Sequence, residues 1–300
     1  MKVLISGGSG LVGKALTESL RSEGHTVALL VRPGGAASEG DIRWDPSSGF
    51  VNLDAMEATD AVVNLNGASI GGGRWTSARK KILCTSRVDS TRFLVDSIAH
   101  LKQKPRVFVS ASAVGYYGNR GDEILTESSA PGNDFLAEVC RDWEAEELRA
   151  QASGIRTVIT RFGVILSSNG GALKQMLTPF KLGMGGRLGS GQQWMSWIAL
   201  DDVVGILRSA LSNEQVSGPV NVVAPNPVQN SEFTRVLASV LHRPAIFPAP
   251  AFALRLAIGE MADALLLSSQ RVHSERPPSA TYAFQYENLE PALHAILAKR

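Results

Sequence analysis

Cysteine is scarce. Two residues, Cys84 and Cys140, stand among 300, which excludes a disulfide framework or a cysteine metal site and leads us to expect a reducing, cytoplasmic compartment. Excess charge of one sign is missing as well. The formal net charge is +2 and no basic stripe carries interleaved aromatic residues, so nucleic acid is not an expected partner. Long apolar runs are absent. The richest stretch, Pro248 to Leu267, is broken by Pro250, Arg255, Glu260 and Asp263, so it reads as an amphipathic or buried helix and no membrane partner is expected. The five histidines (His25, His100, His242, His273 and His294) show no metal-ligand spacing. A strand beginning at residue 2 leaves no expected signal peptide, and no repeats or low-complexity tracts occur.

What the chain has is apolar content, 44% of its residues, ample for a large buried core. Its most informative stretch comes first. Val3 to Ile5 is an apolar run of strand length, followed by Ser6-Gly7-Gly8-Ser9-Gly10-Leu11-Val12-Gly13 and then a helical pattern. Gly7 permits a tight turn, Gly10 lets backbone approach a pyrophosphate with no Cβ in the way, and Gly13 lets the helix pack closely on the sheet. The helix N-terminus offers N–H groups and partial positive charge to phosphates. At the head of a βαβ unit this pattern predicts a dinucleotide site. A helix from about Val12 to Ser22 stops at Gly24, and an apolar strand runs from Thr26 to Val31. At the end of that strand an acid would hold a ribose 2′-hydroxyl, whereas an arginine accommodates a 2′-phosphate. Arg32 stands there and argues for NADP(H) over NAD(H).

Further strands are expected at Ile42 to Trp44, Ala61 to Leu65, Val107 to Val109, Thr157 to Ile159 and Val220 to Val223. Helices are expected from Ser77 to Ala99, carrying Arg87, and from Asp134 to Ala150. Another begins at Asp201-Asp202, where acids suit the helix dipole, and a further one runs from a Ser231 cap to His242. Pro244 to Arg300 reads as helical, with a break at Pro277-Pro278. From Leu166 onward glycine becomes dense, with Phe180, Trp194 and Trp197 between the glycines; this reads as a shaped loop system over a pocket. Trp194 and Trp197 with Arg187 and Gln192 suit a pocket for a polar, partly flat substrate; the alternative for the tryptophans is packing, the favoured reading for Trp197. The alternation predicts an α/β fold, a Rossmann-type doubly wound parallel sheet with a smaller, mainly C-terminal substrate lobe. Residues 1–165, with 198–225 returning to them, form the nucleotide domain; residues 166–197 and 226–300 form the lobe.

These residues resemble the extended short-chain dehydrogenase/reductase superfamily, and more closely its atypical SDR39U1-like epimerase-family members. The resemblance is carried by Ser6 to Gly13, Asn64 to Gly67, Arg74-Trp75, Ser86-Arg87, Ser110 to Gly118, Trp143-Glu144, Arg161 to Leu166, Leu182 to Gly191 and Trp197 to Asp202. It implies NADP(H) held across the carboxyl edge of the sheet. Gly7, Gly10, Leu11, Val12 and Gly13 would form the phosphate turn, and Arg32 with the Val31 backbone would meet the ribose phosphate. Leu65, Asn66 and Gly67 would lie along the cofactor, with Arg87 as a contacting arginine. The chain departs from the pattern at Asn66, usually alanine, at Ala199, where histidine is common, and around Ser274 to Ala283.

The same resemblance implies a tyrosine acid/base, a lysine four residues later and an orienting serine. In the register set by Trp143-Glu144, Leu136 stands at the tyrosine position and Cys140 at the lysine position. Leucine has no proton to give and a thiol carries no fixed positive charge, so the dyad is absent. Ser112, or alternatively Ser110, supplies the serine. Tyr116 and Tyr117 follow in a loop expected above the nicotinamide. The candidate catalytic residues are therefore Ser112, Tyr116 and Tyr117. Two activities are compatible with this reading. One is an NADP(H)-dependent oxidoreductase or epimerase, a monomer or homodimer acting on a small molecule. The other is a catalytically weak NADP(H)-binding sensor or regulatory protein, for example in cell or plastid division.

Overall fold

In a computed structural model of the chain, residues 1–275 and 282–298 are described. The expected break at Pro277-Pro278 and much of the divergent block at Ser274 to Ala283 lie outside those residues. In chain order the elements begin with β1 (Lys2–Ser6), α1 (Leu11–Ser22), β2 (Thr26–Val31), β3 (Ile42–Asp45), β4 (Phe50–Val51), α2 (Leu53–Met56) and β5 (Ala61–Asn64). Then come α3 (Ser77–Thr85), α4 (Val88–Ala99), β6 (Val107–Ala113), β7 (Ile124–Leu125), α5 (Phe135–Leu148), β8 (Arg156–Phe162), β9 (Val164–Leu166) and α6 (Gly171–Lys181). The rest is β10 (Trp194–Met195), β11 (Trp197–Ala199), α7 (Leu200–Ser212), β12 (Gly218–Val222), β13 (Val228–Gln229), α8 (Asn230–Leu241), α9 (Ala251–Ile258), β14 (Arg271–Val272) and α10 (Leu289–Ala298).

Eight strands form one sheet in the order β12-β8-β6-β5-β1-β2-β3-β4, parallel throughout except for the last pair. Its strands are apolar on both sides because helices cover both faces. Val3 and Ile5 face a layer built from α1 and α7, with Leu16, Leu20, Val203 and Leu207. Leu4 points to the opposite face, toward Leu94, Val95 and Ile98 of α4. The strand order reverses between β1 and β5, so their carboxyl ends open a crevice where ligands of such sheets bind. A separate apolar cluster joins Leu173, Leu177 and Phe180 of α6 to Phe233 and Leu237 of α8 and Leu293 of α10.

Several expectations are corrected. The helix expected from Ser77 to Ala99 is two helices, broken at Ser86 and Arg87. Both break residues hold the loop after β5: Ser86 Oγ accepts from Ala68 N (3.0 Å) and Arg87 Nη2 donates to Ala68 O (3.0 Å). Strand β6 continues past Val109 to Ala113, so Ser110 and Ser112 lie within it. The glycine-rich stretch after Leu166 contains an eleven-residue helix, α6. Ser231 does not cap α8, which starts at Asn230. Loop 188–191 supplies the partners instead, with Leu188 N donating to Asn230 Oδ1 and Ser231 N to Gly191 O. Asp202 is fully buried on α7. It accepts from Tyr282 Oη and from the backbone of Gln285 and Tyr286, so it fastens the C-terminal segment to the sheet's helical layer.

Candidate functional site

The turn after β1 leaves no room for side chains on its inner side. Gly7 has φ +73°, and a Cβ there would stand 2.4 Å from Leu65 O. A Cβ on Gly13 would stand 2.3 Å from Gly7 O. At Gly10 it would meet only Gly7 O, at 3.2 Å, so the outward side of this residue is open. No side chain caps α1, which leaves its first N–H groups to a ligand. The residues present thus fit a dinucleotide pyrophosphate: a cradle closed to Cβ atoms within and open without. Arg32 lies exposed just past β2. Arg43, on the neighbouring strand, reaches the Arg32 backbone (Nη1 to Arg32 O, 3.3 Å), a contact that sequence spacing does not reveal.

Asn66 is buried and turned away from the turn: its Nδ2 donates to Ser86 O (3.1 Å) and Ser90 Oγ (2.8 Å). Its amide donors are thereby paired in a buried setting. Arg87 braces the same wall. Its guanidinium lies against Gly67, donates to Leu83 O and Ala68 O, and packs over the Trp143 ring at 5.4 Å. Burial lowers its pKa.

At the end of β6 the polar groups answer one another. Ser112 Oγ donates to Glu144 Oε1 (2.6 Å), and Arg161 grips Glu144 from Nε (2.8 Å) and Nη2 (2.7 Å). Arg161 Nη1 donates to Tyr117 Oη (2.9 Å), which in turn donates to Asn221 Oδ1 (2.7 Å). The sequence places both phenols in a loop above the nicotinamide; the structure buries Tyr117 completely in a short 3-10 turn, Val114–Tyr117. Burial pushes its phenol up to about 12. Tyr116 is half-buried, its ring 3.6 Å from the Arg161 guanidinium carbon. Leu136 and Cys140 both border Gly115, so apolar contact occupies the place of the missing dyad. The Cys140 thiol is pushed up to about 12 by burial, which makes it inert as a nucleophile.

Ser110, the alternative serine, belongs to a second buried chain that reaches β1. Ser6 Oγ donates to Asn64 Oδ1, Asn64 Nδ2 donates to Ser110 Oγ and Thr91 Oγ1, and Ser110 Oγ donates to Glu147 Oε1. The other Glu147 oxygen is buried without a partner among the described residues. Burial raises this carboxyl well above its ordinary value.

In the C-terminal half, Trp197 is fully buried with Nε1 donating to Asn226 O, a packing residue. Trp194 is half-buried, and its Nε1 donates to Asp122 Oδ1 (2.7 Å). The Arg271 guanidinium stacks on its ring at 4.4 Å, a partner that sequence spacing does not reveal. Lys80 of α3 and Glu260 after α9 form an ion pair (2.6 Å), and Arg74 Nη2 donates to Leu256 O, so the loop after β5 and α3 touch α9 and the residues that follow it. Among the described residues no group of histidine, cysteine and acidic side chains is arranged to hold a metal, and no helix is long and apolar enough to cross a membrane.

Residues 3–224 match the NAD dependent epimerase/dehydratase family, and residues 249–296 match a domain of unknown function, DUF1731. Epimerase family protein MT2273 of Mycobacterium tuberculosis is 43% identical over 97% of this chain and 96% of its own length. Epimerase family protein SDR39U1 homolog, chloroplastic, of Arabidopsis thaliana is 38% identical over 99% of this chain and 87% of its own. Among solved structures, human epimerase family protein SDR39U1 (isoform2) with NADPH superimposes with a TM-score of 0.91 at 35% identity, covering 100% of both chains. A nucleoside-diphosphate sugar epimerase from Corynebacterium glutamicum gives 0.81 at 38% identity, over 99% of this chain and 58% of that one.

Proposed function

The chain belongs to the NAD dependent epimerase/dehydratase family, and we propose that it is an NADP(H)-dependent oxidoreductase or epimerase acting on a small molecule. The observation that carries this reading is the turn at Gly7, Gly10 and Gly13, whose inner side excludes any Cβ and whose outer side is open. Gly7, Gly10, Leu11, Val12 and Gly13 hold the pyrophosphate, and Arg32 with the Val31 backbone meets the 2′-phosphate. Leu65, Asn66 and Gly67 form the wall beside the cofactor, stiffened by Arg87. Residues 1–165 and 198–225 serve the nucleotide; 166–197 and 226–300 serve the substrate. When bound, the nicotinamide supplies or accepts the hydride.

On the protein side, Tyr116 is the proton donor, because its phenol is the one left partly accessible. Ser112 commits its hydrogen to Glu144, so toward a substrate it offers lone pairs and receives a hydroxyl hydrogen. Tyr117 is a positioning residue, acting through Arg161. Arg271, stacked on Trp194, supplies a cation for an anionic group on the substrate. That charge suits the kind of molecule named for the Corynebacterium glutamicum relative, a nucleoside-diphosphate sugar. Calorimetry tests the cofactor reading: wild type should bind NADPH at least tenfold more tightly than NADH, and Arg32→Asp should abolish the difference. Equal affinities in wild type overturn the NADP(H) assignment.

The apolar contact of Leu136 and Cys140 with Gly115 favours a second reading, a catalytically weak NADP(H)-binding sensor or regulatory protein. A screen of hydroxyl- and carbonyl-bearing metabolites distinguishes the two. Turnover that falls sharply in Ser112→Ala supports the enzyme. Tight NADPH binding without turnover, together with an NADPH-dependent protein partner in pull-down, supports the sensor.

A further inference from the structure

Strand β3 lies beside β2 with Val31 opposite Arg43. This register carries the Arg43 side chain over the turn that contains Arg32, although eleven positions separate the two in sequence. Arg43 Nη1 donates to Gly35 O (2.7 Å) and to Arg32 O (3.3 Å). The same turn is closed by Gly35 N donating to Arg32 O (3.0 Å). The Arg43 guanidinium is therefore tied by one nitrogen to the backbone that presents Arg32, while the remainder of its donor fork is free to meet a ligand.

Among the described residues neither Arg32 nor Arg43 has a carboxylate partner within 4.0 Å. The acids two positions either side of Arg43, Asp41 just before β3 and Asp45 at its end, have their oxygens hydrogen-bonded elsewhere. Asp41 accepts from Leu29 N (2.9 Å) and Ser38 N (2.8 Å). Asp45 accepts from Ser47 N, Ser47 Oγ and Ser48 Oγ. The Arg43 guanidinium thus stands against the Arg32 backbone without an ion-pair partner, and its remaining donors suit an anion with several acceptor oxygens. A ribose hydroxyl offers no such charge, whereas a phosphate monoester does.

We propose that Arg43 is the second guanidinium for the adenosine 2′-phosphate and a determinant of the preference for NADP(H). Arg43 fixes the Arg32 turn and adds its own charge, so the pair outweighs what one exposed arginine supplies. The inference rests on the dinucleotide reading of the glycine turn.

The test uses the full-length protein and two fragments of the cofactor, 2′,5′-ADP and 5′-ADP, titrated by calorimetry at fixed ionic strength; no turnover is required. Arg43→Ala should weaken 2′,5′-ADP about tenfold, as for loss of a charge-assisted contact, and leave 5′-ADP within about twofold. Arg43→Lys keeps the charge without the fork and should fall between. The side chain is exposed, so unchanged circular dichroism and melting temperature are expected and serve as the folding control. An Arg43→Ala protein that folds and binds 2′,5′-ADP as wild type does overturns the assignment to Arg43 while leaving the glycine turn's role intact. A wild type that binds neither fragment, nor NADPH, overturns the dinucleotide reading itself.

Discussion

The carboxyl ends of β1 and β6, strands that flank β5 in the sheet, are built on opposite plans. At the β1 end the surface is backbone: the inner side is closed by contacts as short as 2.3 Å to an added Cβ, and the outer side is left open. At the β6 end the surface is side chain, and nearly every polar group already has a partner within the protein, from Ser112 through Glu144 and Arg161 to Tyr117 and Asn221. No side chain caps α1, so its first N–H groups are available to a ligand, although Gly10 N itself donates to Gly7 O within the turn. A closed side-chain network is stable without a ligand; Ser112 lies buried within it, and Tyr116 stands half-buried at its margin. One end is made to be filled; the other is made to hold its shape.

The largest expected effect comes from opening the closed end. Arg161→Ala strands the Glu144 carboxylate, which is 6% exposed, and removing one partner of a buried pair costs about 3–5 kcal/mol. Urea unfolding should report a loss of that size. Replacing both partners, as Glu144→Leu with Arg161→Met, should recover most of it, since apolar residues of similar volume substitute well for a buried pair. If NADPH affinity of the folded Arg161→Ala protein fell along with stability, the two ends would be one coupled unit and the contrast between them would fail.

The second effect belongs to the open end. Gly13→Ala places a methyl 2.3 Å from Gly7 O and 2.7 Å from Gly8 Cα, so helix α1 must move off the turn. Overpacking of this kind costs roughly 1–3 kcal/mol in stability. NADPH affinity should fall about 100-fold, close to 2.7 kcal/mol, because the turn no longer presents its N–H groups together. Retained affinity, measured by calorimetry, would mean that the cradle tolerates displacement and that close backbone packing is not what shapes it.

This contrast also separates what the sequence reveals from what it hides. Gly7, Gly10 and Gly13 lie within seven consecutive residues, and each demand the backbone makes there falls on a residue type that the sequence displays directly. The parallel strands are equally legible, because burial on both faces requires runs such as Val3-Leu4-Ile5 and Ala61-Val62-Val63. Ser112, Glu144, Arg161 and Asn221 are brought together by β6, α5, β8 and β12, elements distant in sequence, so no local period records their union. Arg43 is hidden for the same reason, reaching Arg32 through strand register. The helix break at Ser86 and Arg87 is hidden from the sequence because its cause is tertiary: both residues stay helix-compatible by propensity while their side chains hold the loop at Ala68.

The smallest effect is a difference in slope, and it asks how closed the closed end is. Glu147 is fully buried, with one oxygen accepting from Ser110 Oγ at 2.5 Å and no cation bonded to either oxygen among the described residues. Burial raises its folded-state pKa well above the ordinary 4.5. A raised folded value means that the native state keeps a proton which the unfolded chain releases. The associated stability is therefore full below about pH 4.5 and is lost as pH rises toward the folded value. Glu147→Gln keeps the acceptor for Ser110 and cannot titrate, so its stability lacks this contribution to the pH dependence. Melting temperatures of the two proteins, compared at half-unit steps from pH 4.5 to 8, should show wild type losing a few degrees relative to the variant. Subtracting one profile from the other removes the groups they share, including Asp202, whose pKa burial also raises. Parallel profiles would mean that Glu147 is ionised in the native state, and a buried carboxylate with no cation requires solvent to reach it. The β6 end would then be open to water behind the sheet edge, and the division between a cradle that waits and a network that is complete would have to be redrawn around Glu147.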